Sequence, residues 1–331
     1  MNPSAPFVEA VRGMLVEARH PFAYAIVDAD RTVHRTAGRP RPTPWRSAAK
    51  PFQVEVALEC LDSGLREALL ADASGLALAA ASHSAEPTHV AGIDALLHRL
   101  GLGVEALRCG THRPMNEGAA DTVLRAGGVF DARHNNCSGK HALMAAAAAA
   151  LGAAADYRPA DHPLQRRIAA RIAELCGGPV DTARDGCGVP TFGVDVVGMA
   201  RAYAALARPA TRIRGAVADA MRAHPFLTSG TGRFDLLLAQ RAQEPLIGKV
   251  GALGVFCIAL PDRGLGIAVK MESGATDALP TAVEAVLDDC APGVLAPRPP
   301  DWPPTTTRNV VGDVVGGYRA VLLDNAAASA R

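Results

Sequence analysis

Apolar and polar positions divide this chain into strand-like ends around a long helical middle. Phe22 to Gly38 (FAYAIVDADRTVHRTAG) carries two short apolar runs flanking Asp28-Ala29-Asp30, a turn-prone triplet, and predicts an N-terminal hairpin. The proline-rich stretch Arg39 to Trp45 ends it. From Ser47 the period changes: Phe52, Val56 and Cys60 recur at helical spacing after the helix formers Ala48 and Ala49. Further helical patterns run through Ile93 to Leu100, Met115 to Arg125, Pro163 to Cys176, Gly193 to Leu206 and Ile213 to Ala223. Short polar loops interrupt them at Ala81–Pro87, Cys109–Pro114, His134–Lys140 and Asp185–Pro190. Strand signals return at Lys249-Val250 and Gly254 to Leu260. Pro261-Asp262-Arg263-Gly264 predicts a turn from which Leu265 to Met271 pairs back. Thr276 to Cys290 reads as a closing helix, Pro297 to Pro304 as a connection, and Thr306 to Val321 as a last edge strand.

Strands, many helices, then strands and one helix predict an α/β (α+β) fold. In it a mixed antiparallel sheet is built from both chain ends, with a helical lobe inserted between them. The insertion argues for one catalytic domain over 1–331 rather than two sequential ones. The hairpin falls at about 20–40, the lobe at about 60–245, the C-terminal strands at about 247–272 and the helix at about 276–290.

Composition narrows the function. The formal net charge is +1, only 14 residues are Phe, Trp or Tyr, and no basic stripe is present, so nucleic acid and membrane surfaces are not expected partners. The segment Met1 to His20 has no continuous apolar run of signal-peptide type. Ala142 to Ala155, broken by Gly152, is too short and alanine-rich to span a bilayer and predicts a buried helix. Seven cysteines at irregular spacing do not make a disulfide framework, which points to a reducing cytoplasm.

Four lysines stand beside 30 arginines. Arginine stays protonated at any biological pH, whereas a buried lysine can lose its proton and act as a base or ligand. The four are Lys50, Lys140, Lys249 and Lys270. Ser47 and Lys50, three apart at a helix start, share one face, so a neutral Lys50 could take the Ser47 proton for acyl transfer. This S-x-x-K spacing also occurs in serine β-lactamases and penicillin-binding proteins. Lys249-Val250-Gly251, heading a late strand, is placed to face such a nucleophile; the plainer reading is an edge-strand charge that deters aggregation. Cys137 and Cys187 sit in polar, glycine-bearing loops and suit Zn²⁺, with His141 the conventional third ligand and Lys140 the unusual one. Two buried free cysteines are the alternative.

Six blocks bring these features together. They are Arg46-Ser47-Ala48-Ala49-Lys50-Pro51-Phe52-Gln53, Ser82-His83-Ser84-Ala85-Glu86, Cys109 to Pro114, His134 to His141, Asp185 to Pro190 and Lys249 to Val255. In this order, spanning Leu15 to about Ala285, they resemble the class 3 L-asparaginases, the rhizobial inducible and thermolabile type also called asparaginase II. The resemblance implies a serine β-lactamase and glutaminase-like fold, a homodimer and an amino-acid amide as substrate. It implies two Ser-Lys tandems, Ser47 with Lys50 and Ser82 with Lys249, and a zinc on Cys137, Lys140 and Cys187, so that Lys140 replaces His141 as third ligand. Arg46, His83, Glu86, Asn136 and Asp185 are then expected at the substrate. Lys249 is assigned to the second tandem, over Lys270, by its strand position. Two residues depart from the pattern: Leu253 stands where an acid is usual, and Ala85 where glycine is usual. A related amidase or glutaminase with altered preference, or an inactive zinc-containing binding protein, are the alternative readings.

Overall fold

The computed structural model describes residues 5–299, 302 and 305–322. Strands β1 (Phe7–Arg12), β2 (Leu15–Asp28), β3 (Val33–Ala37), β7 (Ile247–Gly251), β8 (Val255–Leu260), β9 (Leu265–Met271), β10 (Thr306–Arg308) and β11 (Val314–Val321) form one antiparallel sheet. Its order is β10-β11-β1-β2-β9-β8-β7, with β3 pairing on β2. Both ends of the chain therefore build it, and the helices of residues 50–241 are inserted between. A second, small sheet in the order β4-β6-β5 joins β4 (Thr43–Pro44), β5 (Asp181–Arg184) and β6 (Pro190–Val194).

Burial explains the strand pattern. Every residue of β8 is buried, as a central strand with covered faces requires, and β7 alternates because one of its faces is only half covered. The helices of the insertion are α1 (Lys50–Glu59), α2 (Ser63–Leu70), α3 (Ala73–Ala79), α4 (Pro87–Arg99), α5 (Glu117–Arg125), α6 (Ser138–Ala150), α7 (Pro163–Cys176), α8 (Val196–Ala207), α9 (Arg212–Ala223), α10 (Pro225–Thr228) and α11 (Phe234–Arg241). Helix α8 packs on β9, β2 and β8, while α12 (Leu279–Cys290) joins a separate apolar cluster with Val8, Phe22, Tyr24, Ile258 and Val269. The sheet thus has helices against two apolar clusters. No helix among the described residues is long and apolar enough to cross a membrane.

Several expectations change in detail. The hairpin is present, but β2 begins at Leu15 and its first half pairs with β1, which the pattern did not reveal. In β1 the buried Glu9 breaks the apolar alternation; it is held by Arg19 and Arg319 from the two neighbouring strands. The expected strand Thr306 to Val321 is two strands around a turn at Asn309–Asp313, and β10, not β11, is the edge. Gly193-Val194 belong to β6; Asp195 caps α8 by accepting from Gly198 N at 2.8 Å, which delays the helix. Residues 300, 301, 303 and 304 of the Pro297–Pro304 connection, and 1–4 of the Met1–His20 segment, lie outside the described residues.

The helix that follows Ser47 is not amphipathic as its spacing suggested. Arg46–Ala49 form a 3₁₀ turn that runs into α1, and α1 is buried on all sides from Lys50 to Leu58. Trp45 stacks on Phe52 at 5.4 Å, and Tyr203 OH donates to Ala48 O at 2.8 Å, so the turn is locked against α8. Within α1 the fully buried Glu55 accepts from Arg214 through two bonds of 3.0 Å and from Arg171 Nη1 at 2.7 Å, tying α1 to α9 and α7. Glu55→Gln leaves buried Arg214 without its counter-charge, at an expected cost of about 3–5 kcal/mol. A thermal or urea melt checks this; an unchanged midpoint would show that the cluster contributes nothing.

Candidate active site

Four segments converge at the N-terminus of α1. The first is the 3₁₀ turn with Ser47 and Lys50. The second is the loop Ser82–Glu86 after α3, the third the start of α6 with Cys137 and Lys140, and the fourth strand β7 with Lys249. The β5–β6 turn, which carries Cys187, approaches from the small sheet.

Lys50 and Lys249 both meet Ser82. Each ammonium nitrogen is 2.9 Å from Ser82 Oγ, and all three residues are buried, Lys249 completely. Lys50 Nζ also donates to Ala81 O and, at 3.1 Å, to Asn136 O. Burial lowers the Lys50 pKa, partly opposed by the Cys137 thiolate and reinforced by Lys140. Burial also lowers Lys249, to about 7, against the pull of the buried Asp235 carboxylate 3.8 Å away. Burial therefore favours the neutral amine at both. Lys270 lies elsewhere: its Nζ donates to Leu253 O at 2.8 Å and to Met271 O.

Ser47 is half-buried, and its Oγ has no hydrogen-bond partner among the described residues. Its carbonyl accepts from Lys50 N across the 3₁₀ turn, but among the described residues no hydrogen bond joins its Oγ to Lys50 Nζ, which is taken by Ala81, Ser82 and Asn136. Strand β7 closes one side of the turn: a Cβ on Gly251 would sit 2.7 Å from Trp45 O, so only glycine allows this approach. Val250 N donates to Asp235 Oδ1 at 2.8 Å and Gly251 pairs with Val255, so Ala252 carries the first main-chain N–H beyond the strand.

The thiols and Lys140 form a second cluster. Asn135 Oδ1 accepts from Cys137 N at 2.8 Å, which sets Cys137 as the N-cap of α6 and puts Lys140 in its first turn. Lys140 Nζ is 3.2 Å from Cys187 Sγ. Burial opposes the Lys140 charge, but the sulfurs of Cys187 and Cys137 outweigh it and hold its pKa up at about 12. A hydrogen bond from Cys187, followed by the charges of Lys50 and Lys140, holds Cys137 well below the usual thiol range, while its partner Cys187 is pushed up. One negative charge is thus shared between two sulfurs, with two amines beside them. His141 is turned away, its Nδ1 2.9 Å from Tyr157 OH. Among the described residues no three His, Cys, Asp or Glu side chains gather as a metal site of those types would; this cluster holds two, Cys137 and Cys187, with Lys140 beside them.

The remaining expected residues are placed as follows. Arg46, at φ 58°, pairs through Nε with Asp185 Oδ1 at 2.8 Å, beside the Cys187 turn. Asn136 lies between the clusters, its carbonyl on Lys50 and its Oδ1 3.3 Å from Cys137 Sγ. His83 is fully buried and used internally: Nδ1 accepts from Ala85 N at 3.1 Å, so Nε2–H donates to Ser138 Oγ at 2.8 Å. Burial keeps it neutral, well below the usual imidazole range. Both carboxylate oxygens of Glu86 are taken by Thr231, at 2.8 and 2.7 Å. Ala85 at φ 58° and Leu253 at φ 60° both occupy left-handed backbone, which accounts for the glycine usual at position 85 but not for leucine in place of an acid at 253.

The residue pattern alone missed Asp235, the counter-charge of Lys249, and the Ser229–Gly232 loop before it. A glycine-rich run marks that loop, but an aspartate at a helix start cannot be told from an ordinary first-turn acid.

The family model for L-asparaginase II matches residues 8–320. No curated protein matches the chain. Among solved structures, Mglu in its glutamate form is similar at 17% identity and a TM-score of 0.46, over 87% of this chain and 65% of that one. The chain therefore spans about 65% of the length of that protein. A beta-lactamase from Mycobacterium bovis is similar at 14% identity and a TM-score of 0.42, over 81% of this chain and 94% of that one. A mutant simvastatin synthase from Aspergillus terreus is similar at 12% identity and a TM-score of 0.39, over 76% and 84% respectively. With all but the termini covered by the family match, this chain belongs to the L-asparaginase II family.

Proposed function

We propose that the protein hydrolyses L-asparagine to L-aspartate and ammonia through a Ser47 nucleophile. The observation that carries this reading is the pair of buried lysines meeting at Ser82, one of them Lys50, which follows the half-buried, unbonded Ser47 by three residues in the same turn. A nucleophile must reach its substrate. Ser82 is only 2% exposed, so it suits proton relay, and the accessible Ser47 suits attack. In its neutral form Lys50 keeps two N–H bonds, to Ala81 O and Asn136 O, and its third position faces Ser82 Oγ at 2.9 Å, so the amine must turn from Ser82 toward Ser47 for its lone pair to receive the Ser47 proton. The alkoxide adds to the side-chain amide carbon. The N–H groups of Ser47 and Ala252 face the developing oxyanion. The proton then passes from Lys50 through Ser82 to the departing ammonia, with Lys249 as the alternate receiver. Water enters, gives its proton back along the same chain, and releases aspartate.

For that relay Lys249 must be free of its proton, so kcat/KM should fall as pH drops through about 7. The Asp235 carboxylate raises the Lys249 pKa, and Asp235→Asn should therefore move this acid limb to lower pH. A pH profile of ammonia release from asparagine measures both. An acid limb that stays in place in the variant would remove Lys249 from the relay.

The donor set of Cys137, Lys140 and Cys187 fits zinc: two sulfurs and an amine converge in a buried cluster that already stabilises a thiolate. These three residues would hold the ion. Bound there, it would supply a Lewis-acidic positive charge for the amino-acid end of the substrate. Lys140 must give up its proton to bind, so the apparent zinc affinity should rise with pH. Elemental analysis should find zinc in the purified protein and far less in Lys140→Arg, since a guanidinium cannot ligate. Equal zinc in both would exclude Lys140 as a ligand.

A further inference from the structure

The loop that carries Thr228 to Arg233 closes over the serine loop, and its one charged group, Arg233, is close enough to Lys249 to help lower that amine's pKa. Thr228 O accepts from Ser82 N at 2.9 Å, and Ser229 O accepts from Ser84 Oγ at 3.1 Å. Thr231 donates to Glu86 from both its N–H and its hydroxyl. The contact is tight: a Cβ on Gly230, at φ 132°, would fall 2.5 Å from Ser84 Oγ. The next residue of this rigid loop after Gly232 is Arg233, the N-cap of α11, two residues before the Asp235 that supports Lys249.

Arg233 is half-buried, and its guanidinium contacts the thioether of Met115, Nη1 to Sδ at 3.2 Å. A thioether is a weak acceptor, so most of the five N–H donors stay available. Other arginines differ. Arg46 is neutralised by Asp185, Arg113 by Glu117 and Asp121, and Arg133 by Asp131 and Asp94. Arg233 pairs with no carboxylate among the described residues. Met115 precedes Asn116, whose N–H donates to Ser84 O at 3.1 Å, so the guanidinium bridges two loops that flank the serine loop. A planar, pre-placed fork with no counter-ion is suited to bidentate capture of a carboxylate.

Resting on the amide-hydrolase reading above, we infer that Arg233 is a specificity-determining residue that receives the α-carboxylate of the amino-acid amide. The side-chain amide then points from Arg233 toward Ser47, and substrates without an α-carboxylate are discriminated against.

The test uses the full chain in two measurements. One is calorimetric binding of L-aspartate; the other compares kcat/KM for L-asparagine with that for the diamide of aspartic acid. In Arg233→Met the aspartate affinity should fall on the order of 10- to 100-fold, and the preference for asparagine over the diamide should shrink by the same factor. Arg233→Lys, which keeps the charge but not the fork, should recover part of both. An unchanged melting midpoint keeps misfolding out of the comparison. If the wild type turns over asparagine while Arg233→Met binds aspartate as well as the wild type, the inference is wrong and the hydrolase reading stands. If the wild type binds aspartate through Arg233 yet releases no ammonia, the hydrolase reading falls and the carboxylate site stands. A wild type that neither binds aspartate nor releases ammonia overturns both.

Discussion

Lys50→Arg should lower kcat/KM for ammonia release from L-asparagine on the order of 10³-fold. The substitution keeps a positive charge but removes the only chemistry that position needs, because a guanidinium does not lose its proton. Lys50 is 1% exposed, and its nitrogen contacts two carbonyls and a hydroxyl, with no carboxylate among them. Burial therefore destabilises its charged form, which is what makes it a base. An arginine there would stay charged, and its larger head would crowd Ala81 and Asn136. Lys50→Met separates the two effects: it restores apolar packing at similar length and should be equally inactive while melting at or above the wild-type temperature. If either folded variant kept a tenth or more of the wild-type kcat/KM, proton transfer by Lys50 would not be part of the mechanism.

Some of this was legible in the residues and some was not, for identifiable reasons. The scarcity of lysine pointed to Lys50, Lys140 and Lys249, and all three are buried in one region, while Lys270 caps a turn. The helices Pro163–Cys176 and Arg212–Ala223 were readable because each has a strong amphipathic period and a clear cap. Strand β1 was not, because its buried acid breaks the apolar alternation and is held by one cation across the β1–β2 hairpin and by another at the far end of the chain, which a local pattern cannot anticipate. The small sheet was also hidden: β4 has two residues and β5 is wholly exposed, so neither carries an apolar signal. Yet that sheet aims the Cys187 turn and Asp185 at Arg46. His83 and Glu86 show the reverse limit. Their types suit a substrate site, but the fold gives His83 to Ser138 and Glu86 to Thr231.

Ser47→Ala should have the largest effect. Ser47 contributes a single hydroxyl that no other described side chain bonds, so its removal should leave the fold and the Lys50–Ser82–Lys249 network unchanged. What is lost is the atom proposed to form the covalent bond to the substrate. Residual turnover could then come only from water oriented by the same polar groups, and the loss should be about 10³-fold or more. Ser82→Ala, by contrast, would cut the relay and disturb two buried amines together, so it cannot isolate the nucleophile.

The most direct measurement is ammonia release from L-asparagine by the purified wild type beside Ser47→Ala, at equal folded concentration and matched melting midpoints. The wild type should release ammonia steadily and the variant almost none. Ammonia from Ser47→Ala at near the wild-type rate would contradict attack by this serine, even if the buried lysines proved essential.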